Sequence, residues 1–122
     1  MATNYVQPGD VIPFTVPSAT TITANSVVKV GQTLGVALEG GTAGDVIQVA
    51  ISGVFTCPKV SAAVIKAGEK LVWDVSATAF DDNLATPATG DVSGESVIAF
   101  EDGIATQTTI KVKFTGVPGT VA

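Results

Sequence analysis

Cys57 is the only thiol of this 122-residue chain, and Lys59 stands two positions beyond it. A cysteine nucleophile needs a base to draw off its proton, and the sequence contains no histidine. Lys59 is then the one nearby activator, so Cys57 reads as a half-buried residue at a strand end. One cysteine and no histidine also exclude a zinc cluster and any internal disulfide. The carboxylate pairs Asp81-Asp82 and Glu101-Asp102 have the residue types for glycoside hydrolysis or calcium binding. Neighbours on a strand point to opposite faces, however, so neither pair converges without loop curvature. The D-x-[DN]-x-[DN]-G spacing of a calcium loop is absent, and Asp81, Asp82 and Asn83 read as solvated turn residues. Gly40-Gly41-Thr42-Ala43-Gly44-Asp45 is glycine-rich but carries Asp where a phosphate loop needs Lys. A carboxylate there opposes phosphate, so the segment reads as a turn. Trp73, within Lys70–Asp74, offers a stacking platform for a ligand; amid Val and Leu it reads instead as a core or interface anchor. No catalytic, cofactor-binding or metal-binding residue is expected, and no cofactor.

The elements that would have to position such residues show a repeated design. Residues 34–55 (LGVALEGGTAGDVIQVAISGVF) and 97–118 (VIAFEDGIATQTTIKVKFTGVP) are similar β units. Ala37-Leu38-Glu39-Gly40-Gly41-Thr42-Ala43 aligns with Ala99-Phe100-Glu101-Asp102-Gly103-Ile104-Ala105. After one extra residue in the second copy, Ile47, Val49, Ile51, Gly53 and Val54 fall on Ile110, Val112, Phe114, Gly116 and Val117. Each copy is a short apolar strand, a Gly/Ala/Thr turn and a longer alternating strand.

Length and composition agree with sheet. A chain of this size reads as one domain, able to bury a core without a metal or a disulfide. Apolar residues make up 46%, mostly Val, Ala and Ile, and abundant Thr and Gly complete the signature of strands and tight turns. Charged residues make up only 14%, against roughly a quarter in typical soluble domains, which suggests that a partner covers part of the surface. There is no Arg, and Lys29, Lys59, Lys66, Lys70, Lys111 and Lys113 face eleven acids for a net charge of −5. Nucleic-acid binding needs clustered cations, so this chain would repel DNA and RNA. Met1-Ala2-Thr3-Asn4-Tyr5 does not resemble a signal peptide, and no apolar run approaches the ~20 residues of a membrane helix. The expectation is a soluble protein made in the cytoplasm, with no membrane partner.

Along the chain, residues 1–10 read as a flexible polar arm ending in the turn signal Gln7-Pro8-Gly9-Asp10, and 11–122 as a single β-domain. Val11–Val16 is a strand placed at an edge or bulge by Pro13, which has no ladder N–H to donate. Pro17–Asn25 is a loop with a short extended piece at Thr21–Thr23, and Ser26–Val30 a strand closed by Gly31. Gly53 interrupts the strand Asp45–Phe55, suggesting a bulge or a barrel corner. Val60–Lys66 is the one stretch with helical character, at most a turn or two. Lys70–Asp74 is a strand, 77–94 a long loop or loose hairpin, and 116–122 a small polar tail. About eight strands at 8–12-residue spacing predict an all-β fold, a small antiparallel barrel or sandwich with Gly/Thr-rich loops.

These residues resemble a family of small tailed-phage and prophage proteins described as capsid cement, or head-decoration, proteins. The similarity lies in the order Met1–Asp10, Gly35-Val36-Ala37-Leu38, Gly53-Val54-Phe55 with Pro58-Lys59, then Ala67-Gly68-Glu69-Lys70-Leu71-Val72-Trp73-Asp74. It covers nearly the whole chain; no one motif is specific, but the ordered set is. The sequence departs where Val97-Ile98-Ala99-Phe100 replaces a further Gly-Val-Ala-Leu. The resemblance implies a structural virion protein on the outside of the assembled, expanded head, locking neighbouring major-capsid subunits together, with no catalytic residues. The implied partners are the major capsid protein and further copies of the chain, a trimer on three-fold positions or else a dimer. Met1–Asp10 would then contribute contacts to the shell. The alternative is a receptor- or carbohydrate-binding β-domain of a fibre or spike, with Trp73, Tyr5 and the 77–94 loop as its recognition surface.

Overall fold

The computed structural model describes residues 9–122, so all but the last two positions of the expected N-terminal arm lie outside the described residues. Thirteen strands and no helix occur among them. The fold is all-β, and the strand count exceeds the eight expected because several elements are two or three residues long.

Four strands form the first sheet: β1 (Val11–Thr15), β3 (Val27–Val30), β4 (Thr33–Ala37) and β6 (Val46–Ala50), in the order β1-β6-β4-β3. β1 lies at an edge, where Pro13 opposite Gln48 removes no interior ladder bond. A two-residue pair, β2 (Thr21–Ile22) with β5 (Gly41–Thr42), closes one end. The strand expected over Asp45–Phe55 divides at Ile51. Its second part, β7 (Ser52–Pro58), leaves the first sheet and joins β11 (Val97–Ala99) and β12 (Thr109–Thr115) in the order β11-β12-β7. Gly53 sits at this corner with φ of 116°, a conformation that side-chain-bearing residues rarely adopt. The third sheet is β13-β10-β8-β9, built from β8 (Val72–Asp74), β9 (Ala79–Asp81), β10 (Val92–Ser93) and β13 (Thr120–Val121). Segments 77–94 and 116–122 are therefore partly strand, and Val60–Lys66 contains turns and a bridge residue but no helix.

Segments 34–55 and 97–118 adopt matching registers. Ala37 pairs with Val49, and Ala99 with Val112. Leu38 N donates to Gln48 O at 2.9 Å, and Phe100 N to Lys111 O at 3.0 Å. Glu39 Oε2 accepts from Gln48 N at 3.3 Å, and Glu101 Oε2 from Lys111 N at 3.2 Å. The correspondence continues upstream, beyond the reach of the sequence pattern. Asn25 N donates to Ala37 O (2.7 Å) and Ala37 N to Ser26 O (2.9 Å); Gly68 N donates to Ala99 O (2.8 Å) and Ala99 N to Glu69 O (3.0 Å). Asn25 and Gly68 both take positive φ, 72° and 88°. β1 lies beside β6 as β7 lies beside β12. Residues 11–50 and 54–113 thus carry one β unit twice. The two-residue turn Gly31-Gln32 of the first unit is replaced in the second by 75–96, which folds back as β9 and β10.

Packing follows from this arrangement. β12 alternates buried Ile110, Val112 and Phe114 with exposed Lys111 and Lys113. Its buried face, with Val97 and Ala99, packs against Leu34 and Val36 of the first unit, and Phe80 and Trp73 join that cluster. Ala37, Ile47 and Val49, on the other side of the first sheet, form a second cluster with Val16 and Val28. The first sheet is consequently apolar on both faces, and Leu34-Gly35-Val36-Ala37 is buried without alternation. Phe80 is fully buried, its ring 4.8 Å from Trp73 and 6.2 Å from Phe114. Truncating it to Ala should cost about 3–5 kcal/mol in urea unfolding, whereas Leu84→Ala, at 88% exposure, should stay within ~0.5 kcal/mol. Equal losses for the two variants would contradict the packing described.

Candidate functional site

Cys57 lies at the end of β7, opposite Ile110 and 2% exposed. Burial pushes its thiol up to about 12 from an ordinary 9.0. Lys59 does not activate it, because that ammonium is itself buried and donates to three carbonyl oxygens. They are Val60 O at 2.9 Å, Ser61 O at 3.3 Å and Gln107 O at 3.3 Å. These bonds satisfy the cation where it replaces Val16 of the first unit.

The carboxylate pairs serve the backbone. Asp82 N donates to Asp81 Oδ1 (2.8 Å) and Leu84 N to Asp82 Oδ1 (2.9 Å), so both acids hold the turn after β9. Glu101 accepts from Lys111 N as described, while Asp102 Oδ1 accepts from Ala67 N at 2.8 Å. The two point to different segments and share no site. No group of three or more His, Cys, Asp or Glu residues suited to a metal ion occurs among the described residues. Within Gly40–Asp45 the short strand β5 leads into a turn at Ala43-Gly44, where Asp45 Oδ2 accepts from Thr42 N (2.9 Å) and Thr42 Oγ1 (3.3 Å). Asp74, at the end of β8, accepts from Ser76 Oγ (2.7 Å), Ser76 N (3.0 Å) and Ala77 N (3.2 Å). The Ser76 hydroxyl, then the Ala77 amide, lower its pKa.

Trp73 is 7% exposed and stacks at a tilt on Phe80, so its ring belongs to the core. It reaches the surface in a shallow apolar recess of about 230 Å³, shared with Asn25, Ser26, Val27, Pro58 and Thr78. Tyr5 lies outside the described residues. The fold presents a set of exposed apolar side chains, Leu38, Val54, Val64, Phe100 and Ile104 among them. It also presents the exposed lysines Lys66, Lys70, Lys111 and Lys113, all in the second unit. Sequence reading passed over these positions individually, since exposed Val or Lys on a strand is unremarked until register shows which of them share a face.

The buried thiol makes a direct prediction. The folded protein should not react with a thiol-specific reagent at pH 8, and should react stoichiometrically once unfolded. The unfolded chain gives up this proton near 9.0 and the folded chain holds it to about 12, so the Cys57 contribution to stability declines as pH rises through that interval. Cys57→Ser or Cys57→Ala should flatten that part of the pH–stability curve. Rapid native-state labelling would contradict the burial.

The ordered series of motifs is met by a family-level match. Residues 6–117 match the family model described as phage cement protein, nearly the whole chain. No curated protein sequence matches the chain. The all-β architecture, the carboxylates engaged by backbone amides and the buried thiol are all compatible with a structural role. The match extends over far more than half of the sequence, and the chain belongs to the phage cement protein family.

Proposed function

We propose that the protein binds the outer surface of the assembled phage head and stabilises the capsid lattice, acting as a homo-oligomer on symmetric positions of the shell. The observation that carries this reading is the family match over 6–117. The chemistry of the surface supports it. Cys57 is buried, Lys59 is consumed by carbonyls, and the acid pairs accept from backbone amides, leaving exposed apolar side chains as the main unassigned feature. Those side chains suit contact with a large protein surface better than capture of a small molecule.

The physical benefit is mass action. A protein that binds the assembled lattice and not free subunits stabilises the lattice through linkage, and many identical sites multiply the effect. Closed symmetry repeats the same contacts at every position, and a trimer seated on three-fold positions, or a dimer on two-fold ones, satisfies it. A net charge of −5 without arginine is no handicap for a protein that stays outside the shell, away from packaged DNA. The protein would be made in the host cytoplasm and reside in the virion.

Purified protein mixed with emptied, expanded heads should co-sediment saturably, at a fixed ratio to the major capsid protein. The decorated heads should then survive hotter or lower-salt treatment than bare ones. Heads that sediment alone would overturn the proposal. Sedimentation equilibrium of the free protein should show a defined oligomer, and a monomer at all concentrations would restrict assembly to the shell.

A further inference from the structure

The two β units provide an internal comparison of one surface. In the first unit, the sheet face carrying Val27, Val36 and Ala50 is covered: Val36 and Ala50 are buried, and Val27 packs on the cluster shared with the second unit. In the second unit the same register positions hold Lys70, Ile98 and Lys113. In the next row, Gln48 and Leu38 of the first unit correspond to Lys111 and Phe100 of the second. This face is open, with Lys111 and Lys113 exposed, Val54 44% exposed and Phe100 56%.

At the end of the same sheet, the Ile65–Gly103 bridge sets Val64 opposite Ile104, at 56% and 61% exposure. The first unit has Thr21 opposite Thr42 there. Polar residues therefore suffice at this position, yet the second unit exposes two large apolar ones. Clustered exposed apolar side chains mark a contact surface. The lysines do not block an edge, the usual reason for Lys on an exposed strand, because β12 is the central strand of its sheet. Lys70 pairs with Glu95 at 3.4 Å, and neither Lys111 nor Lys113 forms an ion pair among the described residues. Two lysines without an ion-pair partner among the described residues, Lys111 and Lys113, thus share one face with the Glu95-paired Lys70, on a chain whose net charge is −5.

We infer that the outer face of β7, β12 and β11 is the surface that seats on the head, and that it takes an acidic, partly apolar patch of the major capsid subunits. The inference rests on the cement reading above. A second copy of the chain is the less fitting occupant. Stacking in the way the two units stack would bury Lys113, which has no ion-pair partner among the described residues, against an apolar face, and unpaired buried cations are strongly disfavoured.

The test uses Lys111→Glu/Lys113→Glu and Val64→Thr/Ile104→Thr, the latter restoring the residue type of the first unit. Leu84→Ser serves as a distant exposed change. All are titrated onto expanded heads by co-sedimentation at low and high salt, with melting temperature and oligomer mass measured alongside. Wild-type affinity should fall with salt. The charge reversal should lose at least about tenfold and most of its salt dependence, and the Thr pair about threefold. Lys111→Gln/Lys113→Gln replaces the reversal if Glu unfolds the sheet. Wild-type binding matched by both pairs would overturn the inference and leave the cement reading standing. Loss on Leu84→Ser instead would move the seat to the loop after β9, and loss of self-association in place of head binding would make the face a subunit interface; either overturns the inference. Wild-type protein that fails to bind heads would remove the cement reading and this inference together.

Discussion

Leu34 and Val36 present one side of the first sheet, and Val97, Ala99, Ile110, Val112 and Phe114 one side of the second; burying these two sides against each other holds the chain in its shape. Neither sheet alone removes enough apolar surface from water, and a small sheet in isolation is marginal. Phe80 and Trp73 join the layer from the third sheet, with Phe80 edge-on to Phe114. That gives the third sheet its place in the fold: its β8–β9 hairpin delivers two aromatic rings to the shared cluster.

The duplicated unit shows how one backbone arrangement takes different chemistry according to what lies over it. Val16 and Lys59 occupy equivalent places, each buried, each with its amide donating at 2.8 Å to the strand opposite. Val16 needs only apolar neighbours, whereas Lys59 requires the Val60, Ser61 and Gln107 carbonyls to satisfy its ammonium. The same rule operates on the sheet faces. Val27 packs on the second unit and is apolar, whereas its equivalent Lys70 is charged on a face left exposed among the described residues.

Much of this was legible in the residues, and what was hidden has a physical reason. The downstream halves of the two units were visible because long alternating strands such as β12 impose their period on the sequence. The upstream halves were not, since Thr23-Ala24-Asn25-Ser26 and Lys66-Ala67-Gly68-Glu69 share a conformation and a hydrogen-bond pattern but only one residue. Asn and Gly both tolerate positive φ, so the backbone repeats where the sequence does not. Strands of two residues, such as β10 and β13, are too short to carry a period and exist through their partners. The strand-end place of Cys57 was legible, but its full burial, at 2% exposure where half-burial is expected, was not, because it depends on the long-range cluster that closes over β7. The outer face of the second unit was illegible, because its members lie far apart in the chain and only register sets them side by side.

Composition and alternation were sufficient to establish an all-β chain with no histidine-dependent chemistry, since those follow from residue types and local geometry. The order of motifs was sufficient to indicate the family that the match over residues 6–117 then established. Which apolar face is buried and which left open was settled by folding alone. Val36 and Ile98 sit at equivalent positions of similar strands, and the first is sealed while the second is not, because long-range packing placed one unit on the back of the other. No local rule distinguishes the two, for burial is a property of what the rest of the chain lays over a strand.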